Sequence, residues 1–198
     1  MRERPCVFVR LTGCNLRCSY CDTQYAYSEG SAYDISTIID KVRSYGCRLV
    51  EITGGEPLIQ AETPDLIHAL IAKGFQVLME TNGSLDIDKI DSACARIVDV
   101  KCPSSGEHEK NDLENLNRLT ENDELKFVIG NQTDYEFARN ILKTYKLVCP
   151  KNSKIHFSPV YGKIRPDLLA QWILADRLNV RLQLQLHKFI WDPNKRGV

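Results

Sequence analysis

Cys14, Cys18 and Cys21 lie in the stretch Cys14-Asn-Leu-Arg-Cys18-Ser-Tyr-Cys21, directly after the apolar run Val7-Phe-Val-Arg-Leu11. Three thiolates on one short loop form a soft-metal site, and the spacing narrows the choice of metal. A structural zinc site closes its tetrahedron with four ligands, yet the chain has no second CxxC and no HxxxH pair. A redox dithiol at Cys18 and Cys21 leaves Cys14 without a role. An iron–sulfur cluster is held by cysteine thiolates. With only three supplied, one iron of such a cluster keeps an open position, which is what a catalytic metal needs. The cluster is the reading that uses every cysteine of the loop.

Four further places carry residue types that could do chemistry. Gly54-Gly55-Glu56-Pro57 reads either as an ordinary tight turn or as a loop whose glycines allow close approach to a ligand. Arg10 is either a strand residue facing solvent or a bidentate fork for a carboxylate. Thr23 is either a plain loop threonine or a hard oxygen ligand of the kind Mg2+ accepts, with water and substrate oxygens completing its shell. His187-Lys188 is either a polar strand end or an anion contact. His68 and His108 read as surface residues, and the charge-rich segment 112–124 reads as a solvated helix and loop.

Elements must position these residues, and the pattern that does so is repetitive. Strand-length apolar runs are expected at Val7–Leu11, 49–53, 76–80, 97–100, 125–129, Ile155–Pro159 and 182–186. Helical spacing is expected from Asp34 to near Gly46, over 64–73 up to the stop at Gly74, over 135–145 and over 167–178. Strand followed by helix, repeated, implies α/β architecture with a parallel sheet. The special residues all follow strands, and parallel β/α sheets bind ligands at the carboxyl ends of their strands. At 198 residues the chain is short for a closed (β/α)8 barrel, which takes about 250. A partial, open (β/α) barrel of six to seven mostly parallel strands is therefore expected, in one domain over 1–198.

Composition excludes several classes. Lys and Arg number 26 against 26 Asp and Glu, so no basic face for nucleic acid is indicated. No segment is long and apolar enough for a membrane helix, and the first residues lack the apolar core of a signal peptide. Eight cysteines without an export signal point to a reducing, cytoplasmic home. Most of the five outside the loop (Cys6, Cys47, Cys94, Cys102, Cys149) read as small buried hydrophobes.

The cysteine spacing, with Gly-Gly-Glu-Pro, resembles the radical S-adenosylmethionine superfamily. The resemblance sharpens with Cys21-Asp22-Thr23, Thr53-Gly-Gly-Glu-Pro57, Glu80-Thr-Asn-Gly83, Asp99-Val-Lys-Cys-Pro-Ser-Ser-Gly106 and His187-Lys-Phe-Ile-Trp191. Together these look like the 7-carboxy-7-deazaguanine synthase family, over nearly the whole chain. The resemblance implies conversion of 6-carboxy-5,6,7,8-tetrahydropterin to 7-carboxy-7-deazaguanine and ammonia, on the route to queuosine and other 7-deazapurines. It implies a [4Fe-4S] cluster on Cys14, Cys18 and Cys21 that cleaves S-adenosylmethionine to a 5′-deoxyadenosyl radical, with the cofactor regenerated after each turnover. It places Mg2+ on Thr23. It places S-adenosylmethionine against Tyr20, Asp22, Gly55, Glu56, Cys102, Pro103, Ser104, Ser158, Pro159, Val160 and Tyr161, with the backbone and acid of the Gly-Gly-Glu-Pro motif receiving its amino group. It places the pterin against Arg10, Thr53, His187 and Val198. A flavodoxin or ferredoxin would supply the electron, and a homodimer is expected. Family members usually carry a Gln-Gly-Glu-Gly segment upstream of the first strand, where this sequence has none. The expectation is a chain that holds its cluster and binds substrate weakly. The alternatives are a glycyl-radical-enzyme activase of the same superfamily and a zinc-stabilised interaction module.

Overall fold

The computed structural model describes residues 4–145 and 154–196, so Cys149 and Val198 lie outside the described residues. Seven strands form one sheet: β1 (Val7–Leu11), β2 (Leu49–Gly54), β3 (Gln76–Thr81), β4 (Ala95–Val100), β5 (Glu124–Ile129), β6 (Ile155–Pro159) and β7 (Arg181–Leu182). Their order in the sheet is their order in the chain, and every neighbouring pair is parallel. Among the described residues β1 pairs only with β2 and β7 only with β6, so the sheet does not close. This is the open, partial barrel that the strand count and length imply.

Helices cover the outer face. α1 (Ile35–Ser44) starts where Asp34 accepts a hydrogen bond from the Thr37 N–H, an N-cap that satisfies one orphan donor of the first turn. α2 (Thr63–Ala72) has a proline in its first turn and ends before Gly74. Gly74 has φ +82°, a conformation that glycine adopts without steric cost. Asn131 caps α3 (Gln132–Thr144) through the Asp134 N–H, and α4 (Pro166–Ala175) opens on a proline. Ile39 and Val42 of α1 and Leu66, Ile67 and Leu70 of α2 pack on Val50 and Ile52 of β2 and Val77 and Met79 of β3. Ala138, Ile141, Leu169 and Ile173 of α3 and α4 pack on Val98, Val100, Leu125, Phe127 and Phe157.

The inner face divides by depth. Leu49, Leu78, Ala95 and Ile97, with Cys6 and Cys47 against them, fill the amino-terminal end with apolar side chains. Two residues further along, the same alternating positions carry Glu51, Glu80, Asp99 and Lys126. From β2 to β4 the sheet thus has an apolar floor below a polar upper inner face, while on β5 and β6 the floor carries the buried pair Glu124 and His156, 2.8 Å apart.

Three expectations are corrected. The last strand, expected over 182–186, is only Arg181–Leu182; residues 183–186 lead instead into the short helix α5 (His187–Ile190). The helix expected over 167–178 ends at Ala175, and Arg177 turns the chain at φ +50°. Segment 112–124 is no solvated helix. It forms a 3-10 turn, Leu113–Leu116, with Asn115, Leu116, Leu119 and Asp123 buried. Asp123 is fully buried and takes the Arg96 guanidinium through Nε at 3.1 Å and Nη2 at 2.6 Å, while Arg96 also donates to the Ile87 and Arg118 carbonyls. Asn115 donates to the Gly83 and Leu85 carbonyls. Polar side chains therefore organise the two crossovers, β3–β4 and β4–β5, that lack an α-helix. Removing one partner of a buried ion pair strands the other charge, so Asp123→Ala should cost about 3–5 kcal/mol. Urea unfolding measures it, and a loss below ~1 kcal/mol, the range of a surface pair, would refute the structural role.

Candidate functional site

The cysteine loop leaves β1 at its carboxyl end and is held on three sides. Against β2, the Gly55 N–H donates to the Leu11 carbonyl at 3.0 Å and the Glu56 N–H to the Gly13 carbonyl at 2.8 Å. A Cβ on Gly55 would sit 1.8 Å from the Gly13 oxygen and 2.8 Å from Cys14 Cβ, and one on Gly54 would sit 2.0 Å from the Leu11 oxygen. The two glycines are thus required first by the chain itself, because any side chain would drive the cysteine loop off. On the β4 side, the Ser19 N–H donates to the Ser105 carbonyl at 2.9 Å and Ser19 Oγ to the Ser104 carbonyl at 2.7 Å. The Arg17 N–H donates to Glu107 at 2.7 Å. From β3 comes Asn82, whose Nδ2 reaches Asn15 Oδ1 at 2.9 Å and Cys14 Sγ at 3.9 Å.

The thiols sit among groups that suit bound thiolates. The Leu16 N–H points to Cys14 Sγ at 3.4 Å. The Tyr27 hydroxyl, kept protonated by burial and by its hydrogen bond to Cys21, is a contact that sequence reasoning missed. Burial raises the Cys18 thiol above its ordinary value, and the Lys101 ammonium opposes that rise. Burial works against the charge of Lys101, but Asp99, bonded at 2.8 Å, together with Cys18 and Tyr20 outweighs it and keeps the amine protonated. Among the described residues no three His, Cys, Asp or Glu side chains converge as ligands of a single metal ion do. Three partly exposed cysteines on a backbone-braced loop nevertheless match the donor chemistry of an iron–sulfur cluster.

Glu56 faces inward rather than toward a ligand. It is fully buried, and its carboxylate accepts from the Leu58 N–H at 3.0 Å, Thr81 Oγ1 at 2.8 Å and the Asn82 N–H at 2.6 Å. Burial nonetheless raises its pKa, against these hydrogen bonds. This acid ties the end of β2 to the end of β3. Cys102 is likewise fully buried. The Ser104 hydroxyl donates to Asp134 and its N–H to the same carboxylate at 2.8 Å. Ser158 and Val160 are buried, whereas Tyr161 is exposed and stacks edge-on with Phe189 at 5.9 Å. Tyr20 lies between these segments, its hydroxyl 3.5 Å from the Val128 carbonyl.

Arg10 and Thr53 are brought together as register partners in β1 and β2, on the face opposite the helices. Arg10 lies 6.0 Å from the Tyr25 ring centroid. His187 is lowered from its ordinary value by partial burial and then by the charge of Lys188, with Asp22 opposing and Arg10 assisting. These three predicted substrate contacts therefore share one wall. Asp22 joins that wall to the cysteine loop. Its carboxylate accepts from Gln185 at 2.7 Å, Lys188 at 2.9 Å and Thr23 at 3.0 Å. Partial burial opposes its charge, yet those partners hold its pKa down at about 2.

The family model for the Radical SAM superfamily matches residues 8–104, the span that carries the cysteine loop and the Gly-Gly-Glu-Pro turn. A relative from Koribacter versatilis, 7-carboxy-7-deazaguanine synthase, is 45% identical over 98% of this chain and 92% of its own length. Relatives of the same name from Chlorobaculum tepidum and Methanospirillum hungatei are 44% and 40% identical, over 98% and 96% of this chain and 89% and 78% of their own. The chain belongs to the 7-carboxy-7-deazaguanine synthase family. A solved structure of Streptococcus suis SuiB bound to the precursor peptide SuiA superposes with a TM-score of 0.66 at 13% identity, covering 91% of this chain and 48% of that one. That likeness concerns the fold, which 7-carboxy-7-deazaguanine synthase relatives would share at their much higher identity. Similarity to synthases along the full chain does not favour the activase reading.

The contact between the cysteine loop and Gly55 leaves no space for a side chain. Gly55→Ala should exceed the ~1–3 kcal/mol of ordinary overpacking, because the clash is with backbone. The variant should retain little iron after anaerobic reconstitution, while a Lys73→Ala control loads as the wild type does. Wild-type iron content in Gly55→Ala would show that the loop seats without this glycine.

Proposed function

We propose that this chain is a 7-carboxy-7-deazaguanine synthase, acting on 6-carboxy-5,6,7,8-tetrahydropterin with loss of ammonia. The observation that carries the reading is the 45% identity, over nearly its whole length, to a relative of that name, in a chain whose three cysteines stand at one rim with Arg10, Thr53 and His187. When bound, the cluster and S-adenosylmethionine supply a hydrogen-abstracting radical. Cys14, Cys18 and Cys21 would hold the cluster. The backbone of 54–56, Tyr20, Asp22 and the segments 102–104 and 158–161 would hold S-adenosylmethionine. Arg10, Thr53 and His187 would orient the pterin, with Arg10 supplying the fork for its carboxylate. Val198 keeps the substrate role that the resemblance implies.

The polar upper inner face supports a polar ring as substrate. Asp99 Oδ1 is buried there without a hydrogen-bond partner among the described residues, a place where a ligand N–H is favourable. Mg2+ is assigned to Thr23, whose oxygen is a hard ligand on the same rim. The chain is read as one domain over 1–198, since all seven strands share one sheet. Seven unpaired cysteines among the described residues support a reducing, cytoplasmic setting. No helix among the described residues is long and apolar enough to cross a membrane. A flavodoxin or ferredoxin is the expected electron donor. Exposed Leu186, Phe189, Ile190 and Trp191 support a homodimer, since clustered exposed apolar residues mark association surfaces.

Anaerobically reconstituted protein, given reductant, S-adenosylmethionine, Mg2+ and the pterin, should form 7-carboxy-7-deazaguanine by mass spectrometry, with S-adenosylmethionine undiminished in proportion. Cys14→Ala should abolish the product. Deoxyadenosine accumulating in step with S-adenosylmethionine loss, and no deazaguanine acid, would overturn the reading.

A further inference from the structure

Asp22 lies between a cluster cysteine and Thr23, so whatever fixes its side chain also fixes the chain between a thiol and a hydroxyl oxygen. The Asp22 carboxylate is divided between two tasks. Its Oδ2 accepts from Gln185 Nε2 at 2.7 Å and pairs with Lys188 Nζ at 2.9 Å, while its Oδ1 accepts from Thr23 Oγ1 at 3.0 Å. A threonine hydroxyl has one proton and two lone pairs. With the proton committed to Asp22, Thr23 Oγ1 has only lone pairs to present to anything else. That is the orientation a cation ligand requires.

The lysine is itself anchored. Its side chain is 10% exposed, and its ammonium lies 5.5 Å from the centroid of the Tyr161 ring. The same segment is tied down again by Arg196, which pairs with Glu29 at 3.0 Å and lies 4.0 Å from the Tyr25 ring centroid. Asp22 is therefore gripped from a part of the chain more than 160 residues away, rather than from its own loop. The orientation of the Thr23 hydroxyl depends on that remote grip.

We infer that Lys188 is a positioning residue for a divalent cation at Thr23: it pins Asp22, and Asp22 turns the Thr23 oxygen outward. The inference rests on the magnesium assignment proposed above. Lys188 exerts its role through the Asp22 carboxylate that it pairs with. It acts as outer-shell partners of metal ligands do, whose loss costs about 10–100-fold in metal affinity.

Lys188→Met and Lys188→Arg test this in the reconstituted holoenzyme with S-adenosylmethionine and the pterin present. Mn2+ serves as the probe, its uptake followed by loss of the free-ion EPR signal. Lys188→Met should bind Mn2+ about 10-fold or more weakly, with iron content and the cluster EPR signal unchanged. Lys188→Arg should restore most of the affinity. Unchanged Mn2+ affinity in Lys188→Met, beside a wild type that binds, overturns the inference and leaves the magnesium assignment standing. Loss of iron in Lys188→Met also overturns it, because the lysine would then support the whole loop. A wild type that takes up no Mn2+ overturns the magnesium assignment and the inference with it.

Discussion

The backbone of residues 54–56 lies directly against that of 11–14, and the rest of the site depends on that contact. Two hydrogen bonds join the strands' ends there, and the missing side chains of Gly54 and Gly55 let them approach. The cysteine loop is thereby placed on the rim with no freedom to drift toward or away from β2. Glu56 extends the constraint. Buried and bonded to Leu58, Thr81 and Asn82, it locks the end of β3 to the same turn, and Asn82 carries the lock back to Cys14. A carboxylate with three protein donors is a costly group to bury and a rigid one once satisfied.

This alters what the Gly-Gly-Glu-Pro motif means physically. Its glycines suggest close approach to a ligand, and its acid suggests a partner for an amino group. In the fold, the glycines approach the protein's own backbone and the acid is engaged by the protein's own donors. The motif is therefore a positioning element for the cysteines before it is a binding element. The same holds for Ser104, whose hydroxyl and N–H are taken up by Asp134.

Much of the fold was legible because hydrophobic periodicity and parallel β/α order point the same way. Val7–Leu11 and Ile155–Pro159 match at both ends, and four other strands differ by one or two residues at an end. The failures have physical causes. Leu182, Leu184 and Leu186 alternate as a strand does, yet residues 183–186 run on toward α5, where Gln185 and Lys188 find Asp22. Segment 112–124 looks like a solvated surface because local composition cannot reveal that Asp123 meets Arg96 across 27 residues. In the site, the grouping of the three cysteines at the carboxyl end of a strand follows from spacing and strand placement, whereas Arg10 and Thr53 are linked in the sequence only by the family resemblance and meet as register partners in the fold. Tyr27 at Cys21 and Lys188 at Asp22 do not, since a contact between distant segments leaves no mark in either one.

The sequential strand order has a consequence in time. A sheet in which every strand adds beside its predecessor can grow from one edge as the polypeptide emerges during synthesis. The three cysteines, and the turns from β2, β3 and β4 that brace them, all precede residue 108. Gln185, Lys188 and Arg196, which span from β7 back to the first loop, come after every strand. The cysteine pocket is thus built early and walled last. The segment that closes over Asp22 is the last part of the chain to be synthesised, after the cysteine loop and all the turns that brace it.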